Sequence, residues 1–318
     1  MEPKYLKAYR DGILQEKADR LYQALKSCVL CPRNCKVNRL ENKSGFCKTG
    51  KRAKVYSYFS HYGEEPAISG ENGSGTIFFS NCNLGCLYCQ NYEFSQLGRG
   101  KEAGDEELAS FMLELQKQGC HNINFVTPTH VVAQVFLALI LAAERGLSIP
   151  LVYNTSGYES ETTLKLLEGI IDIYLADARY ADSQPAFKYS QAADYPLINK
   201  TALKEMHRQA GIAKINNDGI LESGLVIRHL VLPNNLSSTD KIMRFIANEL
   251  SPDTYISLMS QYFPCYNACD YPELSRRLSR KEYKKAMDIM YSYGLHNGWV
   301  QDEHGLDRFA GVNIKANL

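Results

Sequence analysis

Little in this 318-residue chain points to a charged partner or a membrane. Thirty-six Lys and Arg nearly cancel 35 Asp and Glu, leaving a formal net charge of +1, so bulk electrostatics do not direct it to a polyanion and no nucleic-acid role is expected. The longest apolar stretch, Val131 to Ala143, is interrupted by Gln134 and is too short to span a bilayer. The opening residues, Met1-Glu2-Pro3-Lys4-Tyr5, lack the apolar core of a secretory signal. No internal repeat and no low-complexity tract is present. What is there is an ordinary globular composition, 45% hydrophobic, with length for one large barrel or two ordinary domains. The ten cysteines are the exception. Without a leader, a disulfide framework is the poorer account of them, and a cytoplasmic protein that uses cysteine for metal is the better one.

Apolar runs alternate with amphipathic segments along most of the chain. Strands are expected at Thr76 to Ser80, Ile123 to Thr127, Leu151 to Thr155, Ile171 to Ala176, Leu225 to Leu232 and Tyr255 to Met259. Helices are expected at Glu16 to Lys26, Asp105 to Gln118, His130 to Arg145, Glu159 to Leu167, Tyr195 to Ala210 and Asp240 to Leu250. Apolar residues at helical spacing, such as Leu108, Phe111, Met112 and Leu115, support these assignments. Six strands alternating with helices predict βαβ units, a parallel sheet, and crossovers regular enough to close fully or partly into a barrel. Three segments are expected: a helical and cysteine-rich 1–70, a barrel over 71–260, and an extension over 261–318 that packs on it.

The most informative stretch is Asn81-Cys82-Asn83-Leu84-Gly85-Cys86-Leu87-Tyr88-Cys89, directly after the first barrel strand. Its spacing, C-x3-C-x2-C, supplies three thiolates where a structural zinc site asks for four ligands, typically as two C-x2-C pairs. Three cysteines can hold three irons of a [4Fe-4S] cluster and leave the fourth open to a small molecule, which suits chemistry more than electron storage. The aromatic Tyr88 before the last cysteine is a candidate cover for a flat adenine. A C-x3-C-x-aromatic-C following a first strand resembles the signature of the radical S-adenosylmethionine (SAM) enzymes. The resemblance implies an α/β fold built as a partial (β/α)6 TIM-type barrel with the motif on the loop after the first strand. It implies that Cys82, Cys86 and Cys89 bind the cluster. Its open iron then chelates the methionine part of SAM, one electron cleaves the sulfonium, and the resulting 5'-deoxyadenosyl radical abstracts hydrogen. An electron donor such as flavodoxin or ferredoxin is expected with it.

A second set, Cys28, Cys31, Cys35 and Cys47, places four thiolates inside twenty residues. This set is expected to bind a second metal, zinc or a fully ligated iron–sulfur cluster, with zinc the first choice. A closed four-cysteine site has a structural or electron-relay role. Cys265 and Cys269 are placed near the barrel mouth without an assigned role, and Cys120 reads as a small apolar core residue.

The strand ends are where SAM is expected to be held. Val126-Thr127-Pro128-Thr129-His130 has no Gly-Gly-Glu, which many members of the resembled family carry at this point, so no glutamate is assigned a role. Thr127 and Thr129 offer hydroxyls, and Thr129 alternatively caps the next helix. Asn154 and Ser156 suit ribose hydroxyls. Asp177 and Arg179 either touch substrate or form an internal ion pair. Arg228 is expected to face the barrel interior and, by resemblance to activating enzymes of glycyl-radical proteins, to meet the methionine carboxylate; His229 faces the other way.

Beyond the cysteines, Gly63-Glu64-Glu65-Pro66, Gly73 to Ser80, Val126 to His130, Arg228 to Pro233, Met259 to Pro264 and Tyr271 to Arg277 are similar to uncharacterised relatives of the pyruvate formate-lyase activating enzyme. An oxidoreductase acting on a glycyl-radical-type protein, a peptide or a small molecule is the reading this favours. The alternatives are an iron–sulfur electron-transfer or cluster-carrier protein, and a zinc-binding regulatory protein built on an inactive barrel.

Overall fold

The computed structural model describes residues 2–301; Met1 and 302–318, the latter the end of the expected C-terminal extension, lie outside the described residues. Two helices, Lys4–Arg10 (α1) and Ile13–Gln23 (α2), lead into the cysteine-rich segment. Strand Ala53–His61 (β1), the short helix Pro66–Ser69 (α3), strand Ser74–Phe79 (β2), helix Tyr92–Ser95 (α4) and strand Lys101–Ala103 (β3) follow. Helix and strand then alternate: Asp105–Lys117 (α5), Ile123–Val126 (β4), Val132–Glu144 (α6), Leu151–Thr155 (β5), Glu161–Leu167 (α7) and Ile173–Asp177 (β6). Helices Ser183–Ser190 (α8) and Tyr195–Ala210 (α9) precede a hairpin of Lys214–Ile215 (β7) with Leu221–Leu230 (β8). Helix Thr239–Phe245 (α10), strand Tyr255–Met259 (β9), helix Arg280–Ser292 (α11) and strand Gly298–Val300 (β10) complete the described chain.

Strands β2, β4, β5, β6, β8, β9 and β10 are parallel and neighbour one another in chain order. That singly wound order is the order of a β/α barrel. The sheet stays open: β1 lies antiparallel on the outer edge of β2, and β3 on β1. The fold is thus the expected partial barrel. Expected and observed bounds coincide at β5, β9 and α9, while α6 starts two residues late, after a 3-10 turn at Thr129–Val131.

Alternation along the strands sorts their side chains. Tyr153, Tyr174, Ala176 and Ile227 face the helices in the main core, whereas Val152, Ile173, Leu175 and Val226 face inward. The inward group packs on Ala67 and Ile68 of α3, which closes the N-terminal end of the barrel. Helix α6 is apolar almost all round because α2 covers it on one side and α5 on another. Tyr5, Leu14, Leu21 and Leu25 of the N-terminal segment are fully buried in the same core as the barrel. Among the described residues, no helix is long and apolar enough to cross a membrane.

Candidate functional site

Cys82, Cys86 and Cys89 lie on one loop between the end of β2 and α4, at the C-terminal end of the barrel. The loop turns through left-handed backbone at Asn81 (φ 72°) and Gly85 (φ 73°). A Cβ on Gly85 would come within 3.0 Å of the Phe46 ring, so this position requires glycine. Each sulfur has a polar partner: the Leu84 amide donates to Cys82 Sγ at 3.3 Å, the Ser190 hydroxyl to Cys86 Sγ at 3.1 Å, and Ser95 Oγ shares a hydrogen bond with Cys89 Sγ at 3.1 Å. The Arg179 guanidinium approaches Cys86 Sγ at 3.8 Å. Burial pushes the Cys82 thiol up to about 12 and raises Cys89, while the amide and hydroxyl donors oppose it. Donors aimed at buried sulfurs are the environment of thiolate ligands, and the loop fits a cluster held by three cysteines.

Tyr88 is buried, its ring edge-on to Tyr180 (6.3 Å) and Tyr262 (5.9 Å), so it packs the loop against the barrel. Thr127, the residue just after β4, has φ 57°, an outlier for a β-branched residue of the kind found at functional sites. Thr129 does not cap α6; it donates to the buried Glu159, which also accepts from the Thr155 and Tyr153 hydroxyls. Burial pushes the Glu159 carboxyl up to about 7 against those three donors.

Inside the barrel stands a charge network that the sequence foreshadowed only in part. Arg228 faces inward and donates to Asp177 (2.9 Å), Glu64 (3.4 Å) and Asn154 (2.5 Å). Arg179 pairs with the other oxygen of Asp177. His229 points outward, between the Ala178 carbonyl and Thr239 Oγ1. Burial works against the Asp177 carboxylate, yet the two guanidiniums outweigh it and hold its pKa below the ordinary value. Glu64 and Glu65 were not foreseen as site residues. They enter from the plug before α3, and burial raises both against the Arg228 charge. The signal was two adjacent acids ahead of Pro66-Ala67-Ile68, in a segment apolar enough to be buried. Glu65 Oε2, Asn124 Oδ1, Ser156 Oγ and Arg179 Nε are buried without a hydrogen-bond partner. Glu65 and Asn124 lie deeper in the barrel, whereas Ser156 and Arg179 sit just past the ends of β5 and β6, where a leftover polar atom is what a bound molecule satisfies.

Cys28, Cys31, Cys35 and Cys47 line one pocket, together with Arg39 and His130. Arg39 is 1% exposed; it donates to the Gly50 and His130 carbonyls, lies 3.8 Å from Cys28 Sγ, and leaves Nη2 without a partner. A guanidinium buried among thiols is costly unless those thiols carry negative charge, so the pocket suits metal-bound thiolates. Burial pushes Cys31 up to about 12 and His130 down to about 4, which keeps the imidazole neutral. Among the described residues, no three Cys, His, Asp or Glu side chains draw in to the spacing of a single metal ion.

A sequence model of the family described as the Radical SAM superfamily matches residues 76–182, which carry the three-cysteine loop and β2 to β6. Over 300 residues the chain is 30% identical to uncharacterized protein MJ0674 of Methanocaldococcus jannaschii, spanning 91% of this chain and 82% of that protein. The chain belongs to the radical SAM superfamily. A second M. jannaschii relative, uncharacterized protein MJ0808, is 23% identical over 88% of this chain and 84% of its own length. Among solved structures, a radical SAM methyltransferase from Sphaerobacter thermophilus superposes with a TM-score of 0.52 at 14% identity, covering 73% of this chain and 67% of that one. That likeness shows the radical SAM barrel and nothing finer.

Proposed function

We propose that this radical SAM enzyme holds three irons of a [4Fe-4S] cluster on Cys82, Cys86 and Cys89 and binds SAM over the adjoining strand ends. The observation that carries the reading is three thiols on the loop after β2, each with its own polar partner at sulfur. When bound, such a cluster would supply the one electron that breaks the C5'–S bond of SAM, giving methionine and a 5'-deoxyadenosyl radical. Around it, Ser190 and Arg179 bring a hydroxyl and a positive charge to the Cys86 sulfur. Tyr88, Tyr180 and Tyr262 exclude water from the loop's inner side. Thr127, Asn154, Ser156 and Arg228 form the floor on which SAM is oriented, Ser156 with a free hydroxyl and Thr127 held in strained backbone. The four cysteines around Arg39 are assigned a second, structural or relay metal, zinc or iron–sulfur.

The finer reading rests on sequence resemblance alone: an oxidoreductase like the pyruvate formate-lyase activating enzyme, served by a flavodoxin or ferredoxin and acting on a protein or peptide. Anaerobic reconstitution, reduction with dithionite in the presence of SAM, and chromatography of the products test the main proposal. Formation of 5'-deoxyadenosine is expected, and its loss in the Cys82→Ala/Cys86→Ala/Cys89→Ala variant. Cleavage retained in that variant would overturn the assignment. A cluster that assembles while its spectrum ignores added SAM would favour the carrier reading. Counting iron and zinc in the same samples identifies the metal of the four-cysteine site.

A further inference from the structure

Arg33 stands between two cysteines of the four-cysteine set, yet its side chain points at neither. Its guanidinium reaches across to the other cysteine loop. Nε donates to the Asn83 carbonyl at 2.9 Å and Nη2 to the Leu84 carbonyl at 2.9 Å, both in the link between Cys82 and Cys86. The same group donates to the Ser190 carbonyl at 2.8 Å and to the Gln191 carbonyl, at the C-terminal end of α8. Ser190 is the residue whose hydroxyl meets the Cys86 sulfur. The guanidinium lies 3.7 Å over the Phe46 ring and 5.2 Å from that of Tyr158. Phe46 precedes Cys47 and is the ring that bars a side chain at Gly85. Asn83, fully buried, anchors the same link by donating to the Tyr158 carbonyl at 2.8 Å.

One side chain therefore holds four carbonyls from two segments that share no secondary structure. Only arginine presents a planar fork of donors that fits such a set while stacking on aromatic rings. The turn that projects it, Cys31-Pro32-Arg33-Asn34-Cys35, has left-handed backbone at Asn34 (φ 45°) and at Lys36 (φ 54°) just beyond. A metal held by the flanking thiols, as proposed above, would pin that turn further. We infer that Arg33 is a positioning residue: it locks the three-cysteine loop and its Ser190 donor to the four-cysteine segment, so that the second site presets the geometry of the first. This deepens the proposed function and rests on its three-cysteine site.

The test uses full-length Arg33→Ala and Arg33→Lys, with far-UV circular dichroism to confirm folding. Amide hydrogen exchange of residues 82–91 is read in metal-free and in reconstituted protein, and iron loss to a chelator is timed in the latter. In Arg33→Ala, the amides of Leu84 to Leu87 are expected to exchange at least about ten times faster in both states, while α5 and α6 are unchanged. Iron on Cys82, Cys86 and Cys89 should be held about 10–100-fold less tightly, the usual effect of losing an outer partner of a metal ligand. Arg33→Lys, with its point charge, should fall between, and it carries the same test if Arg33→Ala does not fold. Wild-type exchange and wild-type iron retention in the variants would overturn the inference. If wild-type protein binds no iron on this loop but its amides lose protection in Arg33→Ala, the clamp stands and the proposed function falls.

Discussion

Arg228 shows how a residue assigned to a ligand acquires another duty once its neighbours are seen. The alternation of β8 correctly turned it inward and His229 outward, which a two-residue period fixes from sequence alone. The sequence could not show that Glu64, 164 positions away, shares that interior. With Asp177 and Asn154 also on its guanidinium, Arg228 neutralises buried acids before any ligand arrives. Arg228→Ala is therefore expected to cost about 3–5 kcal/mol of stability, the range for breaking a buried pair from one side. Urea denaturation reads it, and a loss below about 1 kcal/mol would mean the acids are satisfied without it. Glu159 gives the pH-dependent counterpart. Its buried carboxyl titrates near 7, above the ordinary 4.5, so the folded state favours the protonated form. Its contribution is whole below about pH 4.5 and is lost as pH rises through 7. Glu159→Gln removes that titration. Its stability relative to wild type should improve by roughly 2.5 kcal/mol between pH 5 and pH 8, from a shift of about 1.4 kcal/mol per pKa unit. A pH-independent difference in denaturation midpoints would contradict this.

Elements were legible where local periodicity and fold agree. Strands β4, β5 and β9 are short, buried on both faces and bounded by turns, so the apolar run and the strand coincide. The edge was not legible. β1 and β3 pair antiparallel with each other, and β1 with β2, through contacts that no βαβ rhythm announces. β1, Ala53–His61, has only its N-terminal half well buried, so its apolar run is short. Helix α8 was missed for another reason: Ser183-Gln184-Pro185 opens it with a proline, and the segment from Asp182 to Asp194 is too polar to show a stripe. That helix carries Ser190 to the Cys86 sulfur, so the loop's best-placed hydroxyl was invisible along with it. The cysteine motif itself needed no fold to be found, since its spacing is local. Its second layer of Ser190, Arg179 and Arg33 is assembled from elements far apart in the chain, which is why only the first layer could be read from sequence.

At the scale of the molecule, the N-terminal segment is part of the barrel's wall. α2 lies on α6, the Thr163 hydroxyl donates to the Leu30 carbonyl at 2.9 Å, and Gln134 to the Lys51 carbonyl at 2.6 Å. Between Ser27 and Ala53, however, the only regular element is a single 3-10 turn at Arg39–Glu41. A stretch with so little backbone pairing of its own needs a staple, and four thiols around a buried guanidinium supply one when metal is bound. Metal that binds the folded state and not the unfolded one stabilises by mass action. The effect is cleanest in the Cys82→Ala/Cys86→Ala/Cys89→Ala background, where any metal left resides on the four-cysteine site. Stripping that variant with a chelator should lower its Tm by several degrees, at about 2–4 °C per kcal/mol for a chain of this order of size, and re-adding the metal should restore it. An unchanged Tm would mean that the shared core and the Arg33 and Arg39 contacts hold the segment without help from a metal, and would count against a structural metal on these four cysteines.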